Sequence, residues 1–356
     1  MNMKDLLYRI VLVTAICMVL ASCNDSDYNE KVNSIILTNA ETTIGAAGDA
    51  KSFAVESPST FTAKAVDSWL KVSVDSNKVK ISADVNLSVS ARNTIVVIKN
   101  DRDSTLVNVS QLGAVFDISA GGKIYFKDAG GSSKFVLKAN LPATFETSAD
   151  WITYSVDDKN ITVTSTPNST GDYRIGYLKY HCGNKTDSVR VVQGDASDLK
   201  GKWTISYYDV DETGKNFTQL IRKATLTPYS NGDSVKVAVI PGVVEIHCLF
   251  DKGNLVMHAG DLVGTIDNNG ATYYLCLAVV GNNNLYTSEQ LISTAYPEIE
   301  SDKMVFDFMD SGQLSSLGIP SESFGVFVFS SPYISYGAYK GSYMYFEFPS
   351  LYKYIK

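Results

Sequence analysis

The chain repeats a set of residues at a constant spacing of 82 positions, and this spacing constrains its fold more than any other feature. Apolar alternation keeps the same phase across the spacing, so that Val79 and Ile81 correspond to Ile161 and Val163. The other residues that recur are Phe53 and Phe135, Trp69 and Trp151, Asn86 and Asn168, Arg92 and Arg174, and Gln111 and Gln193. A fixed period shared by several residue types indicates one fold used twice in tandem. We therefore expect consecutive domains at residues 33–113 and 114–195, followed by a third folded part at 196–356.

Short strand-forming segments dominate both repeats. Runs such as Val79–Ala83 and Thr94–Lys99 alternate or stay apolar over a few residues, and Asp, Asn, Ser and Gly separate them. No stretch carries the long helical period with caps that is typical of an α-helix. Closely spaced short strands in a unit of about 80 residues favour a small β-sandwich.

Each repeat also carries the same pair of motifs. A Trp opens a strand, as Asp-Ser-Trp-Leu at Trp69 and as Ala-Asp-Trp-Ile at Trp151. The repeats close on Val-x-Val-x-Gln-Leu-Gly and on Val-x-Val-Val-Gln-Gly. Residues 33–195 thus resemble two BACON domains, an immunoglobulin-like module of secreted Bacteroidetes proteins. The resemblance implies a role in carbohydrate-directed proteins, either as a glycan binder or as a spacer that carries another domain.

The last segment, residues 196–356, has a different pattern. Its strand-like runs are Arg222–Tyr229, Ser234–Ile240, Val243–Phe250, Asn254–Met257, Thr272–Val280, Lys303–Phe308, Phe324–Phe329 and Ser342–Phe348. This many strands in such a segment suits a closed antiparallel barrel, and Ser288–Tyr296 is predicted as one short helix. Gly201-Lys202-Trp203 resembles the Gly-x-Trp start of lipocalin-like barrels. The predicted fold class is therefore all-β: two tandem immunoglobulin-like β-sandwiches followed by a C-terminal antiparallel β-barrel.

The first residues have the pattern of a processing signal. Lys4 and Arg9 precede an apolar run of 11 residues, Ile10–Leu20, which is short of the roughly 20 residues that a transmembrane helix needs. The run ends in Leu-Ala-Ser-Cys, which resembles the bacterial lipoprotein box. This resemblance implies a signal peptide at residues 1–22, a lipid anchor on Cys23 and an outer-membrane location, facing either the cell surface or the periplasm. Residues 23–32 are polar and acidic, and we expect them to form a tether.

Aromatic residues supply the candidate ligand-binding groups. A turn-rich segment with Pro332 and Gly337 contains Tyr333, Tyr336 and Tyr339. A Tyr in such a segment need not be buried in a core. We predict these three as ligand-stacking residues, with loop packing as the alternative. Phe327 and Phe329 alternate in one strand and are predicted to face the barrel core.

The residues shared by the repeats favour structural roles. Trp69 and Trp151 are predicted as core residues between the sheets, with sugar stacking as the alternative. Arg92 and Arg174 are predicted to brace loops, and binding of an acidic sugar is the alternative.

Several functions are excluded by what the sequence lacks. The formal net charge is −7 and no basic block exists, so we expect no nucleic-acid partner. The chain has three His and neither a His-Glu-x-x-His nor a Cys-x-x-Cys motif, so no metal and no cofactor are predicted. Cys248 and Cys276 lie in neighbouring strand-like runs, and both a disulfide and two buried free thiols stay open. Asp209 and Asp211 form a conceivable glycosidase pair, but their surroundings favour a solvated hairpin turn.

These observations predict a non-catalytic cell-envelope lipoprotein that binds carbohydrate and contacts the membrane only through its lipid anchor. The tandem sandwiches serve as spacer or as auxiliary glycan-binding modules. One alternative is a carrier that encloses a small hydrophobic ligand in the barrel. Another is a structural or adhesive protein with envelope protein partners.

Overall fold

The computed structural model describes residues 34–38, 40–210, 216–281, 284–287, 292–310 and 323–355. The predicted signal peptide of residues 1–22, the anchor residue Cys23 and the tether of residues 23–32 lie outside the described residues. The described chain is built from β-strands, with 3-10 turns at Ala196–Leu199 and Tyr336–Ala338. Within these ranges, no helix has the length and apolar character that a membrane crossing requires.

The first repeat folds as two four-stranded sheets. Its strands are β1 (Ile36–Thr38), β2 (Thr43–Ile44), β3 (Asp49–Glu56), β4 (Thr62–Ala65), β5 (Leu70–Asp75), β6 (Lys78–Ala83), β7 (Arg92–Lys99) and β8 (Ser104–Gln111). One sheet has the order β1-β3-β6-β5 and the other β2-β8-β7-β4. Alternate residues of both sheets, among them Phe53, Val79 and Val96, are buried in one shared core. The period-two apolar pattern therefore fills the space between the sheets, as in a β-sandwich.

The second repeat has the same topology, strand for strand. Its strands are β9 (Phe116–Ile118), β10 (Lys123–Phe126), β11 (Gly131–Ala139), β12 (Ala143–Thr147), β13 (Ile152–Asp157), β14 (Asn160–Ser165), β15 (Arg174–Cys182) and β16 (Lys185–Gln193). The sheets have the orders β9-β11-β14-β13 and β10-β16-β15-β12. In both repeats the second strand pairs in parallel with the last one. The prediction of two tandem sandwiches is confirmed.

The C-terminal part forms a closed barrel. Its strands are β17 (Gly201–Val210), β18 (Phe217–Pro228), β19 (Ser234–Ile240), β20 (Val244–Asp251), β21 (Asn254–His258), β22 (Leu262–Asn268), β23 (Ala271–Gly281), β24 (Asn284–Tyr286), β25 (Ile292–Glu300), β26 (Lys303–Asp310), β27 (Ser323–Phe329) and β28 (Tyr339–Tyr354). In the described residues, the ring runs β17-β18-β19-β20-β21-β25-β26-β28, and β28 closes it by pairing with β17. The predicted antiparallel barrel is confirmed.

Strand β28 is long enough to pair both with strands of the ring and with a strand outside it. Its first half pairs with β27, whereas its second half pairs with β17 and β26 inside the ring. The strands β27, β23 and β22 therefore form an extension of the barrel sheet, and β24 pairs with β23. The extension buries one face against the barrel core, through residues such as Leu277 and Phe324.

Phe327 and Phe329 face one side, as predicted, but that side is not the barrel core. They pack with Cys276 and Ala338 in a separate small cluster on the other face of the extension. Phe324 and Val326, on the opposite face of the same strand, enter the main core instead. The correction follows from β27 lying in the extension, where both faces of the sheet are covered.

The predicted helix at Ser288–Tyr296 is wrong for the residues that the structure describes there. Ile292–Glu300 form strand β25, which pairs with β21 on one side and with β26 on the other. Two ladders of backbone hydrogen bonds outweigh the weak helical preference of a short segment. Residues 288–291 lie outside the described residues.

The chain divides into two compact units. One comprises residues up to Asn86 together with Ser90–Gly113, and the other comprises Leu87–Val89 and Ala114–Lys356. The second sandwich and the barrel thus belong to one unit, although the sequence suggested two separate parts at 114–195 and 196–356.

A shared core joins the second sandwich to the barrel. Tyr173 of the sandwich packs edge-on against Phe250 and Phe306 of the barrel, at centroid distances of 6.3 and 5.8 Å. Gly194 permits this packing, because a Cβ at that position would lie 2.6 Å from the Tyr173 ring. Burial of aromatic rings dominates the energy of such junctions. The second sandwich therefore packs tightly against the barrel.

Polar contacts surround this junction. Arg190 Nη2 lies 2.7 Å from Glu298 Oε1, and its Nη1 donates to the Pro297 carbonyl. Lys123 Nζ donates to the Lys252 carbonyl at 2.7 Å. These contacts fix the orientation of the sandwich on the barrel.

The 3-10 turn Ala196–Leu199 connects the two parts and carries a buried acid. Asp198 accepts a hydrogen bond from the Asp195 backbone N–H at 2.8 Å. Its burial, together with the nearby charges of Asp128 and Asp195, raises the pKa of Asp198 to about 6. Because this buried carboxylate is ionised at neutral pH, its desolvation lowers the stability of the junction at that pH.

Candidate functional site

The loop Ser330–Tyr339, between β27 and β28, is the candidate site, and we call it the tyrosine loop. Its two ends are tied together, because the Ser330 backbone N–H donates to the Ala338 carbonyl at 2.8 Å. A further bond from the Ala338 N–H to the Ser335 carbonyl, at 3.0 Å, closes the 3-10 turn. Ala338 is buried with Phe327 and Phe329, and Ile334 packs against the same cluster. The loop is therefore anchored to the cluster that contains Phe327 and Phe329.

The three predicted tyrosines are brought together by this loop but play different parts. Tyr333 and Tyr336 are 82% and 99% exposed, and Tyr339 is 40% exposed. The Tyr339 ring lies 6.4 Å from that of Phe327 and 5.9 Å from that of Phe329, so it packs on the cluster. Partial burial, together with the neighbouring Tyr345, raises the pKa of its phenol. Tyr339 is an anchor, whereas Tyr333 and Tyr336 present their rings to solvent.

An anchored loop with outward tyrosines has the chemistry of a stacking site. A Tyr side chain has only two rotatable angles, so it offers a large contact area at a small cost in entropy. Its π face attracts polarised C–H groups, and its hydroxyl both donates and accepts hydrogen bonds. A ring with one apolar face and peripheral hydroxyl groups, such as a pyranose, matches these properties.

Trp69 and Trp151 do not present free ring faces to a ligand as Tyr333 and Tyr336 do. The Arg92 guanidinium lies over the Trp69 ring and the Arg174 guanidinium over the Trp151 ring, each 4.5 Å from the ring centroid. Trp69 packs on the core of its sandwich. Both tryptophans are half-buried with an arginine over one face, so they are not the buried core residues that the sequence predicted, although their contacts are internal to each sandwich.

The arginines are held in turn by the buried glutamines. Arg92 donates from Nε and Nη2 to Gln111 Oε1, at 2.9 and 2.8 Å. Arg174 donates from Nε to Gln193 Oε1 at 2.8 Å, and from Nη2 to the Thr166 carbonyl at 2.7 Å. Both glutamines are fully buried. Arg92 Nη2 also lies 3.4 Å from the Asp84 carbonyl, so arginine contacts a loop carbonyl in both sandwiches, as predicted.

The glutamine amides complete the network by donating to backbone carbonyls. Gln111 Nε2 donates to the carbonyls of Gly45 and Asp84, and Gln193 Nε2 donates to the equivalent carbonyls of Lys127 and Thr166. A buried carbonyl without a donor costs free energy, so these bonds fix the loops that they reach. The repeated Arg and Gln residues therefore stabilise the fold of each sandwich.

A repeated glycine escaped the sequence analysis. Gly48 and Gly130 have φ angles of +83° and +70°, and a Cβ at Gly48 would lie 2.6 Å from the Ala83 carbonyl oxygen. A Cβ at Gly130 would meet the equivalent carbonyl of Ser165. The two glycines obey the 82-residue spacing, which was the available signal. Only glycine fits such a close approach in the left-handed region.

The three described cysteines form no disulfide, and only one member of the candidate acid pair is described. Cys182, Cys248 and Cys276 are free and buried, so the disulfide that was left open does not form. Burial raises the pKa of the Cys276 thiol to about 12. Asp209 accepts from the Tyr345 backbone N–H, while Asp211 lies outside the described residues. No three His, Cys, Asp or Glu side chains of the described chain come together as a metal site.

The barrel interior is filled by side chains. The cavity among Ile205, Val237, Phe308 and Phe346 measures about 10 Å³. A single water molecule already needs about 10–15 Å³. Within the described residues, this core offers no room to a small hydrophobic ligand.

The second sandwich matches a known family. A family model described as "BACON: Putative binding domain, N-terminal" matches residues 142–194, a range that includes Trp151, Arg174 and Gln193. The predicted BACON resemblance is confirmed for these residues, and for the first sandwich it stays a prediction. No curated protein matches the chain.

Three of the solved structures that match this chain do so with low TM-scores. The I9–I11 tandem of titin has 10% identity and a TM-score of 0.31, over 78% of this chain and 94% of that one. An endo-fucoidan hydrolase of glycoside hydrolase family 107 has 10% identity and a TM-score of 0.23, over 48% and 29%. A Bacteroides ovatus GH5 xyloglucanase in complex with a XXXG heptasaccharide has 20% identity and a TM-score of 0.21, over 22% and 19%. The chain spans less than a third of either hydrolase, and the likeness does not extend to function.

Proposed function

We propose that this protein binds carbohydrate without cleaving it and that the tyrosine loop makes the contact. The observation that carries the proposal is the pairing of exposure with anchoring: Tyr333 and Tyr336 are 82% and 99% exposed on a loop that is anchored by the buried Ala338 and the half-buried Ile334. Such a loop loses little freedom when it binds a ligand. Stacking of one or two rings gives weak affinity, which many copies on one surface would reinforce.

The two sandwiches act as scaffold in this proposal. Their shared Trp, Arg and Gln residues are engaged in internal contacts. The same contacts support a BACON assignment for the first sandwich too, since the second one matches the family model. The second sandwich forms the base of the barrel that presents the loop.

The relation of the barrel to lipocalin-like proteins is also part of the proposal. Trp203, which follows Gly201-Lys202, is 2% exposed. Its Nε1 donates to the Leu199 carbonyl at 2.9 Å, next to the 3-10 turn that precedes the first barrel strand. The closed ring of eight strands supports a lipocalin-like shape, and the filled interior argues against a carrier function.

The cell envelope is the proposed location, with Cys23 as the lipid-bearing residue. Its support is the leader and the lipoprotein box of the sequence. Replacement of Cys23 by Ala tests it, because the variant should move from the membrane fraction to the soluble fraction of cells. Retention of the variant in the membrane fraction would refute the anchor.

The binding proposal is tested with the purified full-length protein on an array of neutral and charged polysaccharides. A Tyr333→Ala/Tyr336→Ala variant should bind the retained glycan about tenfold more weakly or worse. Tyr296→Ala is the matched control, because Tyr296 is an exposed tyrosine elsewhere on the barrel, and it should bind like the wild type. Equal binding by all three proteins would refute the role of the loop.

A further inference from the structure

A second surface of the same compact unit combines positive charge with aromatic rings. A groove of about 630 Å³ lies where Asp172 and Tyr173 of the second sandwich meet the barrel strands β17, β18, β26 and β28. Ligand sites in proteins commonly have volumes of about 300–1,000 Å³. None of its lining residues belongs to the tyrosine loop. We call it the lysine groove, because Lys200, Lys202, Lys223 and Lys353 line it.

The charge of the groove runs against that of the whole chain. The formal net charge of the protein is −7, yet Asp172 is the one carboxylate among the described residues that line the groove. Lys353 Nζ lies 2.5 Å from Asp172 Oδ1, so these two charges offset each other. Lys200, Lys202 and Lys223 remain as exposed ammonium groups. The groove therefore has a positive potential that favours an anionic ligand.

Strand register explains why these residues share one surface. Trp203 points into the core, so Lys202 and Thr204 on either side of it point outward. Thr204 pairs with Lys223 on β18 and with Tyr352 on β28. Neighbouring strands are about 4.8 Å apart, which places Lys223 and Tyr352 roughly 10 Å apart across β17. This separation is comparable to the length of a disaccharide.

Aromatic rings form one wall of the groove. Lys303 Nζ lies 4.7 Å from the centroid of the Tyr352 ring and 5.2 Å from that of Tyr354. The two rings are perpendicular, with centroids 6.3 Å apart. This contact orients the rings at the edge of the groove. An aromatic wall beside ammonium groups suits a sugar ring that carries a negative substituent, since the ring contacts the tyrosines and the substituent contacts the lysines.

We propose that the lysine groove binds an acidic saccharide, a sugar chain that bears sulfate or carboxylate groups. Lys202 and Lys223 supply the charge contacts, and Tyr352 and Tyr354 supply the apolar surface. The site is separate from the tyrosine loop, and its existence does not depend on the function proposed for that loop.

The test measures binding of the full-length protein to three polymers: dextran sulfate, polygalacturonate and unmodified dextran. We expect binding to the two charged polymers, weakening as salt is raised, and none to dextran. A Lys202→Gln/Lys223→Gln variant should bind the charged polymers about tenfold more weakly. A Lys138→Gln/Lys179→Gln variant is the matched control, because it makes the same charge change at exposed positions of the second sandwich. It should bind like the wild type.

Three results would overturn the proposal. The first is equal loss in both lysine variants, which would indicate a general charge effect. The second is binding of unmodified dextran with the same affinity. The third is lysine-dependent binding to phosphatidylglycerol vesicles with no binding to either charged polymer, which would assign the groove to lipid headgroups. The Tyr333→Ala/Tyr336→Ala variant separates the two sites, because it should retain binding to the charged polymers.

Discussion

Replacement of Gln193 by Leu tests whether the repeated polar network holds the second sandwich together. The side chain is fully buried, and its Oε1 accepts from Arg174 Nε at 2.8 Å and from Ser165 Oγ at 2.6 Å. Its Nε2 donates to the carbonyls of Lys127 and Thr166, both at 3.0 Å. Leu keeps the size of the side chain but removes these four hydrogen bonds and a longer one, at 3.3 Å, from Nε2 to the Asp128 carbonyl. At about 1 kcal/mol for each bond, with a further penalty for the buried carbonyls, the expected loss is roughly 4–5 kcal/mol.

The free energy of unfolding is measured by denaturant titration, followed by tryptophan fluorescence. Gln111→Leu in the first sandwich should lose a similar amount, because Gln111 accepts two hydrogen bonds from Arg92 and donates to the carbonyls of Gly45 and Asp84. Gln219→Leu is the control, because Gln219 is exposed and its Nε2 donates to Ser206 Oγ at the surface. It should change stability by less than about 0.5 kcal/mol. A loss below about 1 kcal/mol for Gln193→Leu would refute the reasoning.

Three further substitutions probe other parts of the account by the same unfolding measurement. Gly48→Ala should destabilise by about 2–4 kcal/mol, because a left-handed φ and a contact with the Ala83 carbonyl add up, whereas Gly171→Ala, with open space around it, should lose only about 1 kcal/mol; equal losses would contradict this. In the wild type, the free energy of unfolding should fall as the pH rises from about 4 to about 6, because the protonated Asp198 that the folded state favours loses its proton over this range. Asp198→Asn should remove this fall, and an unchanged pH profile would contradict the account. Tyr173→Phe should be neutral or stabilising, because the buried hydroxyl has no partner within the described chain; a loss above about 1 kcal/mol would point to a bond.

The sequence allowed the sandwiches to be predicted because their signals are local or periodic. Trp69, Arg92 and Gln111 recur at one spacing, and the structure unites them in one network. The strand β19 was predicted with its observed ends, Ser234–Ile240, because a turn bounds it on each side. Periodicity and turn residues carry this information without any knowledge of distant contacts.

Long-range pairing accounts for what was missed. Strand β25 was predicted in part as a helix, because its identity depends on pairing with β21 and β26. Tyr173 gave no signal in the sequence, since its partners Phe250 and Phe306 belong to the barrel. The lysines of the groove come from three separate parts of the sequence, Lys200 and Lys202, Lys223, and Lys353, so they form no run of basic residues that would reveal the groove. The tyrosine loop could be proposed from the sequence because its residues are close together there.

Hydroxyl-radical footprinting tests the central claim, that the tyrosine loop binds sugar while the sandwiches support it. The full-length protein is exposed to radicals with and without the polysaccharide that binds best on the array, and oxidation of each aromatic residue is read by mass spectrometry. The account predicts that the polysaccharide protects Tyr333 and Tyr336 and leaves oxidation of Trp69 and Trp151 unchanged. Protection of the tryptophans with no change at the tyrosines would contradict it.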